Sequence, residues 1–158
     1  MDKKILAWSD GGCRGNGKTE NVGGWGVYLT YGDYTKKISG SARNTTNNKM
    51  ELQGCIELLK AIKKKDVPTI VYLDSNYVMM GITQWISGWK KKGWKTSDKK
   101  DVKNKDLWIE LDELKSQFTD IKFCKVKGHS GEKGNEIVDT LCNIEMDKLE
   151  KGEFDYEI

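Results

Sequence analysis

The sequence predicts an α/β domain in which helices cover a mixed β-sheet. Three observations point there. The first forty residues carry three short apolar stretches punctuated by glycine, helical periodicity begins only after residue 45, and from there helix-like and strand-like segments alternate. No internal repeat or low-complexity linker interrupts the pattern, and 158 residues suit one compact domain spanning 1–158. The last residues, Lys151 to Ile158, are expected to fray as a short tail.

Lys4 to Asp10 is short and apolar enough for a strand, and it delivers Asp10 to a glycine-rich turn, Gly11 to Gly17. Gly24–Thr30 and Tyr34–Gly40 flank Tyr31-Gly32-Asp33, which reads as a hairpin, so the sheet begins antiparallel. Thr45-Thr46-Asn47-Asn48 can cap a helix in which Met50, Leu52, Ile56, Leu59 and Ile62 recur at helical spacing, ended by lysines and Pro68. Thr69–Asp74 reads as a buried strand closed by an acid, with Ser75 or Asn76 available to start the next helix. Leu107, Leu111 and Leu114 mark another helix, and Asp120–Val126 a further strand. Ile137, Val138, Leu141, Ile144 and Leu149 mark the last helix, which Gly128-His129-Ser130-Gly131 joins to that strand.

Composition narrows the function classes. Apolar runs such as Val67–Leu73 fall far short of a bilayer span, and the first ten residues meet a charge before any signal-peptide core is complete, so a cytoplasmic chain is expected. Four cysteines without a C-x-x-C pair, with one histidine, read as free packed thiols. The net charge of +3 is unevenly spread. Between Thr83 and Lys105 eight lysines face Asp98 and Asp101, a balance of +6, so the remainder carries −3. Trp85, Trp89 and Trp94 are interleaved with those lysines, as where a flat apolar surface meets a sugar–phosphate backbone. An amphipathic helix with packed tryptophans and solvated lysines would give the same pattern.

Gly12-Cys13-Arg14-Gly15-Asn16-Gly17-Lys18-Thr19 matches the phosphate-loop pattern G-x-x-x-x-G-K-[ST] after a strand, which raises a nucleotide hydrolase as one alternative. A phosphate loop works because a helix starts at its lysine and aims backbone N–H groups at the phosphates. Here Glu20-Asn21-Val22-Gly23-Gly24-Trp25-Gly26 follows, whose glycines oppose a helix and lead into a strand. A non-catalytic nucleic-acid-binding module is the other alternative, but it has no use for clustered acids that repel a phosphate backbone.

Hard divalent ions such as Mg²⁺ are held by carboxylate oxygens, and two neighbouring ions need acids from several elements. Asp10, Glu51, Asp74 and Asp139 can supply them. Singly, each is an ordinary acid in a chain with 24. Position distinguishes them: Asp10 and Asp74 close apolar strands that could be sheet neighbours, and Glu51 and Asp139 sit in apolar settings that could turn them inward.

Asp10-Gly11-Gly12-Cys13, Thr46-Asn47-Asn48-Lys49-Met50-Glu51-Leu52, Leu73-Asp74-Ser75-Asn76-Tyr77-Val78 and Val126-Lys127-Gly128-His129-Ser130-Gly131 recur in order. With Gly81–Ile86 and Trp89–Thr96 they resemble bacterial type 1 ribonuclease H over nearly the whole chain. The resemblance implies the ribonuclease H-like fold, a five-stranded sheet with three antiparallel then two parallel strands. It implies an endonuclease that hydrolyses the RNA strand of RNA/DNA hybrids to 5′-phosphate and 3′-hydroxyl ends. Asp10, Glu51, Asp74 and Asp139 would bind two Mg²⁺ ions, with Mn²⁺ able to substitute. His129 would transfer protons or assist release of product and metal.

The same resemblance makes residues 83–105 a basic protrusion that grips the DNA strand, with Trp85 and Trp89 against its sugars. Asn16, Asn47 and Asn48 match positions that contact the minor groove, and Thr46 and Asn104 match two members of a DNA phosphate pocket. Asn44 stands where the family often has arginine, with Arg43 beside it. Residues 19–22 lengthen the first loop, and the last helix has Val138-Asp139-Thr140-Leu141-Cys142 where small alanines are common. The expected partner is the hybrid alone, with no membrane and no obligate protein partner, and the expected state is a monomer.

Overall fold

In a computed structural model, residues 3–18, 20–126 and 133–151 are described. Alternating burial from Ile5 onward sets the first strand, β1, Ile5–Arg14. It does not stop at Asp10. Gly11 and Gly12 continue the ladder opposite Trp25 and Gly24, so two residues that look like a turn in sequence are strand. The physical reason is close approach: a Cβ on Gly11 would lie 2.4 Å from the carbonyl carbon of Met50, on the first helix.

The chain turns with Gly15 and Gly17 at φ 77° and 88° and re-enters the sheet as β2, Val22–Tyr31. Where a phosphate loop requires a helix there is a strand, which removes the nucleotide-hydrolase alternative. A two-residue turn, Gly32-Asp33, joins β2 to β3, Tyr34–Arg43, and Tyr31 pairs with Tyr34 across it. Helix α1, Asn47–Ala61, is capped by Thr46, whose Oγ1 accepts from the Lys49 N–H at 3.1 Å. It carries the chain across to β4, Thr69–Leu73, which pairs parallel with β1.

A nearly continuous helical rod follows, capped by the Ser75 hydroxyl. It consists of α2, Asn76–Met80, a π-helical turn, Gly81–Trp85, and α3, Ile86–Lys91. The chain then folds back on itself, with the Trp94 N–H donating to Trp89 O and the Val102 N–H to Trp94 O, before α4, Lys105–Lys115. Strand β5, Ile121–Lys125, pairs parallel with β4, and α5, Lys133–Lys151, is the last element described. The sheet order is β3-β2-β1-β4-β5, three antiparallel strands followed by two parallel ones, as expected.

The two faces differ. On one, Ala7, Val27, Leu29, Val71 and Leu73 meet Leu52, Cys55, Ile56 and Leu59 of α1, with Trp108 and Leu111 of α4 in the same core. On the other, α5 lies directly on glycines of β2: a Cβ on Gly24 would stand 2.7 Å from Cys142 O, and one on Gly26 2.8 Å from Val138 O. Trp8 stacks there between Tyr28 and Tyr72, its registered neighbours on β2 and β4. Among the described residues no helix is long and apolar enough to cross a membrane.

Candidate metal and nucleic-acid site

Four elements bring the acids together. Asp10 lies in β1 opposite Gly26, and its Oδ1 accepts from the Gly11 N–H at 2.9 Å. The β1–β4 register places Ser9 beside Leu73, so Asp10 and Asp74 come next to each other just past the last paired residues. Two glycines bring α1 in: besides Gly11, Gly54 is so close that its Cβ would stand 2.9 Å from Asp10 O. Glycine inside a helix costs about 1 kcal/mol relative to alanine. Here it lets Glu51 come close enough to Asp10 for the two carboxyls to act on each other.

Asp139 completes the group from α5, but not as expected. The buried stripe of that helix is Gly134, Val138, Cys142 and Met146, one residue in four, and Asp139 stands just off it, exposed at the rim. It is near enough for its charge to act on Asp10. Asn143 Nδ2 donates to Asp139 O at 3.0 Å.

Crowding these acids changes their protonation. Burial, reinforced by the charges of Asp139 and Asp74, raises Asp10 from 3.8 to about 7, against the opposing pull of the Gly11 N–H. Burial and the charges of Asp10 and Asp74 push Glu51 well above the usual carboxylate range. Near neutral pH the cluster by itself therefore retains a proton, the condition of buried carboxylates without a counter-ion. An all-carboxylate donor set with excess negative charge fits a hard divalent cation. Among the described residues no three His, Cys, Asp or Glu side chains close into a compact metal cage. Asp10, Glu51 and Asp74 are partly buried and Asp139 is exposed, so the group is open to solvent on one side.

The residues matched to hybrid contacts fall in two places. Asn16 is exposed on the β1–β2 turn, and its Oδ1 accepts from the Asn47 N–H at 3.0 Å, tying that turn to the start of α1. Asn47 is exposed and Asn48 half-buried alongside. Asn104, at φ 60°, does not cap α4 with its side chain but donates to the Tyr77 hydroxyl at 3.1 Å, which also accepts from Trp108 Nε1. Asn104 lines a cleft with Lys49, one turn of α1 beyond Thr46, whereas Asn44 lines a different cleft with Arg14, Lys18 and Arg43.

Trp85 and Trp89 are half-buried, 5.7 Å apart, and both pack against the fully buried Trp108. The segment is part core and part surface. The inner edges are core, while the outer edges line a shallow groove with Gln84, Lys92, Lys95 and Thr96. Lys90 pairs with Asp112, and Lys95 and Lys105 with Asp101. Lys91, Lys92, Lys99, Lys100 and Lys103 are exposed and enter no ion pair among the described residues. His129 lies outside the described residues.

The profile of the RNase H family matches residues 2–146. The chain belongs to the ribonuclease H family. Ribonuclease H of Ruthia magnifica is 52% identical over 146 residues, covering 92% of this chain and 97% of the relative. That of Francisella philomiragia is 50% identical over 145 residues, with 92% of each covered. Among solved structures, LC9-RNase H1, described as a type 1 RNase H with the type 2 active-site motif, superposes with a TM-score of 0.80. It is 29% identical, covering 93% of this chain and 74% of its own. The chain is thus a type 1 ribonuclease H, a hydrolase, as the sequence motifs imply.

Two polar contacts of this ribonuclease H escape sequence reading. Lys125 Nζ reaches Asp74, donating to its backbone carbonyl and lying 3.6 Å from its Oδ1. Arg14 ties the end of β1 to α5 through Asp147 Oδ1 at 2.7 Å, Glu150 Oε1 at 2.6 Å and Asn143 Oδ1 at 2.9 Å. Strand register reveals Lys125, and no local pattern announces Arg14. The buried Cys55 and Cys142 thiols are pushed far up by burial, which leaves them inert.

Proposed function

We propose that this ribonuclease H is an endonuclease that hydrolyses the RNA strand of RNA/DNA hybrids, leaving 5′-phosphate and 3′-hydroxyl ends. The observation that carries the reading is that Asp10, Glu51, Asp74 and Asp139 come near enough for their charges to act on one another, with burial and that mutual charge raising Asp10 and Glu51. These four acids would hold two Mg²⁺ ions, or Mn²⁺ in their place. When bound, the ions supply Lewis-acid activation of water and stabilisation of the departing 3′ oxygen.

The chain's own residues account for the rest. The rigid contact of α1 on β1 at Gly11 and Gly54 fixes Glu51 relative to Asp10, so the carboxylates are oriented before substrate arrives. Asn16, Asn47 and Asn48 present amides able to donate to and accept from the 2′-hydroxyls that mark an RNA strand. Trp85 and Trp89 offer flat edges to the DNA sugars, and the unpaired lysines around them meet its phosphates. Asn104, in a cleft with Lys49 and Lys105, suits a DNA phosphate, with Thr46 one helical turn before Lys49. His129 is assigned proton transfer or product release. We further propose a single-domain monomer working in the cytoplasm, where its free thiols suit a reducing environment.

The test is cleavage of one labelled RNA strand presented in a hybrid, in an RNA duplex and alone, with Mg²⁺, with EDTA and with Asp10→Asn protein. Cutting of the hybrid alone, abolished by EDTA and by the substitution, is expected. Tight hybrid binding without cutting would overturn catalysis and favour the binding module.

A further inference from the structure

Lys125 is the last residue of β5, and strand pairing sets it opposite Leu73, the residue before Asp74. Its ammonium donates to the Asp74 carbonyl and lies 3.6 Å from Oδ1, with the two side chains 41% and 44% exposed. The pair therefore lies on the solvent-exposed side of the acid group. Asp10 and Glu51 answer their crowding by holding a proton. Asp74 is held by a cation that the protein itself supplies.

We infer that Lys125 is a positioning residue that acts as a resident counter-ion of Asp74 and competes with a divalent cation for that carboxylate. The inference rests on Asp74 being a metal ligand. A carboxylate engaged by an ammonium offers an incoming ion less uncompensated charge, and seating the ion requires the ammonium to be displaced or to be tolerated at close range as a like charge. Either way the substrate-free enzyme binds metal less tightly than four free acids would. The effect is modest because the pair is exposed and solvent screens it. The backbone tether has a separate consequence. By holding the Asp74 carbonyl, Lys125 keeps the end of β4 against the end of β5. Charge and tether can be separated by substitution.

The experiment is titration of the substrate-free protein with Mg²⁺, followed by calorimetry or NMR, for wild type and for Lys125→Arg, Lys125→Gln, Lys125→Met and Asp74→Asn. Lys125→Gln and Lys125→Met are expected to bind Mg²⁺ about 2- to 5-fold more tightly, the range set by exposed ion pairs. Lys125→Arg, which keeps the charge, should stay near wild type. Unchanged or weaker binding in both neutral variants would overturn the inference and leave Lys125 as a backbone tether only. Asp74→Asn separates the two failures. It should lose Mg²⁺ affinity if Asp74 is a ligand, whereas wild-type binding in that variant would overturn the metal assignment itself.

Discussion

A carboxyl group buried among other carboxyls keeps its proton to higher pH, and Asp10 does so up to about 7. An unfolded chain releases that proton near 3.8. Between these values the folded state binds a proton that the unfolded state has lost, so metal-free stability falls as pH rises through the window and stays low above it. Thermal denaturation in EDTA should show a declining midpoint from about pH 5 to pH 8, with Mg²⁺ restoring it at the alkaline end. Asp10→Asn should flatten that slope and stabilise the metal-free protein at pH 8 by about 1–2 kcal/mol, within the cap of about 4 kcal/mol that a shift of roughly three units sets. An unaltered slope in the variant would contradict the account. At this scale the sequence was informative about identity and poor on environment. Asp74 does follow the last residue of its strand, whereas Asp10 lies inside β1 and meets Asp74 because the β1–β4 pairing stops at Ser9; the Asp139 exposure and the Lys125 contact depend on helix phase and strand register, which no single segment encodes.

At the scale of elements, the decisive contact is α1 on β1, where backbone meets backbone with no side chain between. Gly11→Ala would place a methyl group 2.4 Å from the Met50 carbonyl, which a helix in regular hydrogen bonding cannot move aside. Overpacking of this kind costs about 2–3 kcal/mol. The helix shift it forces should lower the cleavage rate by about 10²-fold, as expected when a catalytic group moves by around an ångström. Denaturant unfolding with single-turnover cleavage checks both, and full activity in the Gly11→Ala variant would refute the constraint. Periodicity located α1, α4 and α5, and the Thr45–Asn48 and Ser75-Asn76 stretches marked two helix starts, within which Thr46 and Ser75 are the caps, because these signals are local. It ended β1 too early because glycine means a turn in isolation and a helix contact in this fold. It also missed the π-helical turn, where Gly81 lies so close under Trp108 that a Cβ would touch the indole, a contact between residues far apart in sequence.

Across the whole molecule, charge is sorted by place: four acids gather where β1, β4, α1 and α5 meet, and lysines gather on the folded-back segment after α3. The sequence displayed this separation directly, along with the strand and helix order that yields the mixed sheet. It could not show that half of the tryptophan surface is core. Replacing Lys91, Lys92, Lys99 and Lys100 by glutamine should raise KM for the hybrid with little change in kcat. It should also flatten the dependence of log affinity on log salt by up to about 0.9 per lysine that contacts a phosphate. Binding measured between about 50 and 200 mM salt checks this, and an unchanged slope would show that these lysines are only solvated.

The rod formed by α2, the π-helical turn and α3 begins two residues after Asp74 and ends at Lys91, 16 residues in all. At about 1.5 Å per residue it is about 24 Å long. It joins the strand that leads to Asp74 to the lysine-rich segment through uninterrupted helical turns. With nucleotides spaced about 3.4 Å apart, its length corresponds to about seven steps along a duplex. If the lysines after α3 meet phosphates as proposed, hybrids with fewer than about seven base pairs on that side of the scissile bond should bind more weakly, which cleavage of a length series checks.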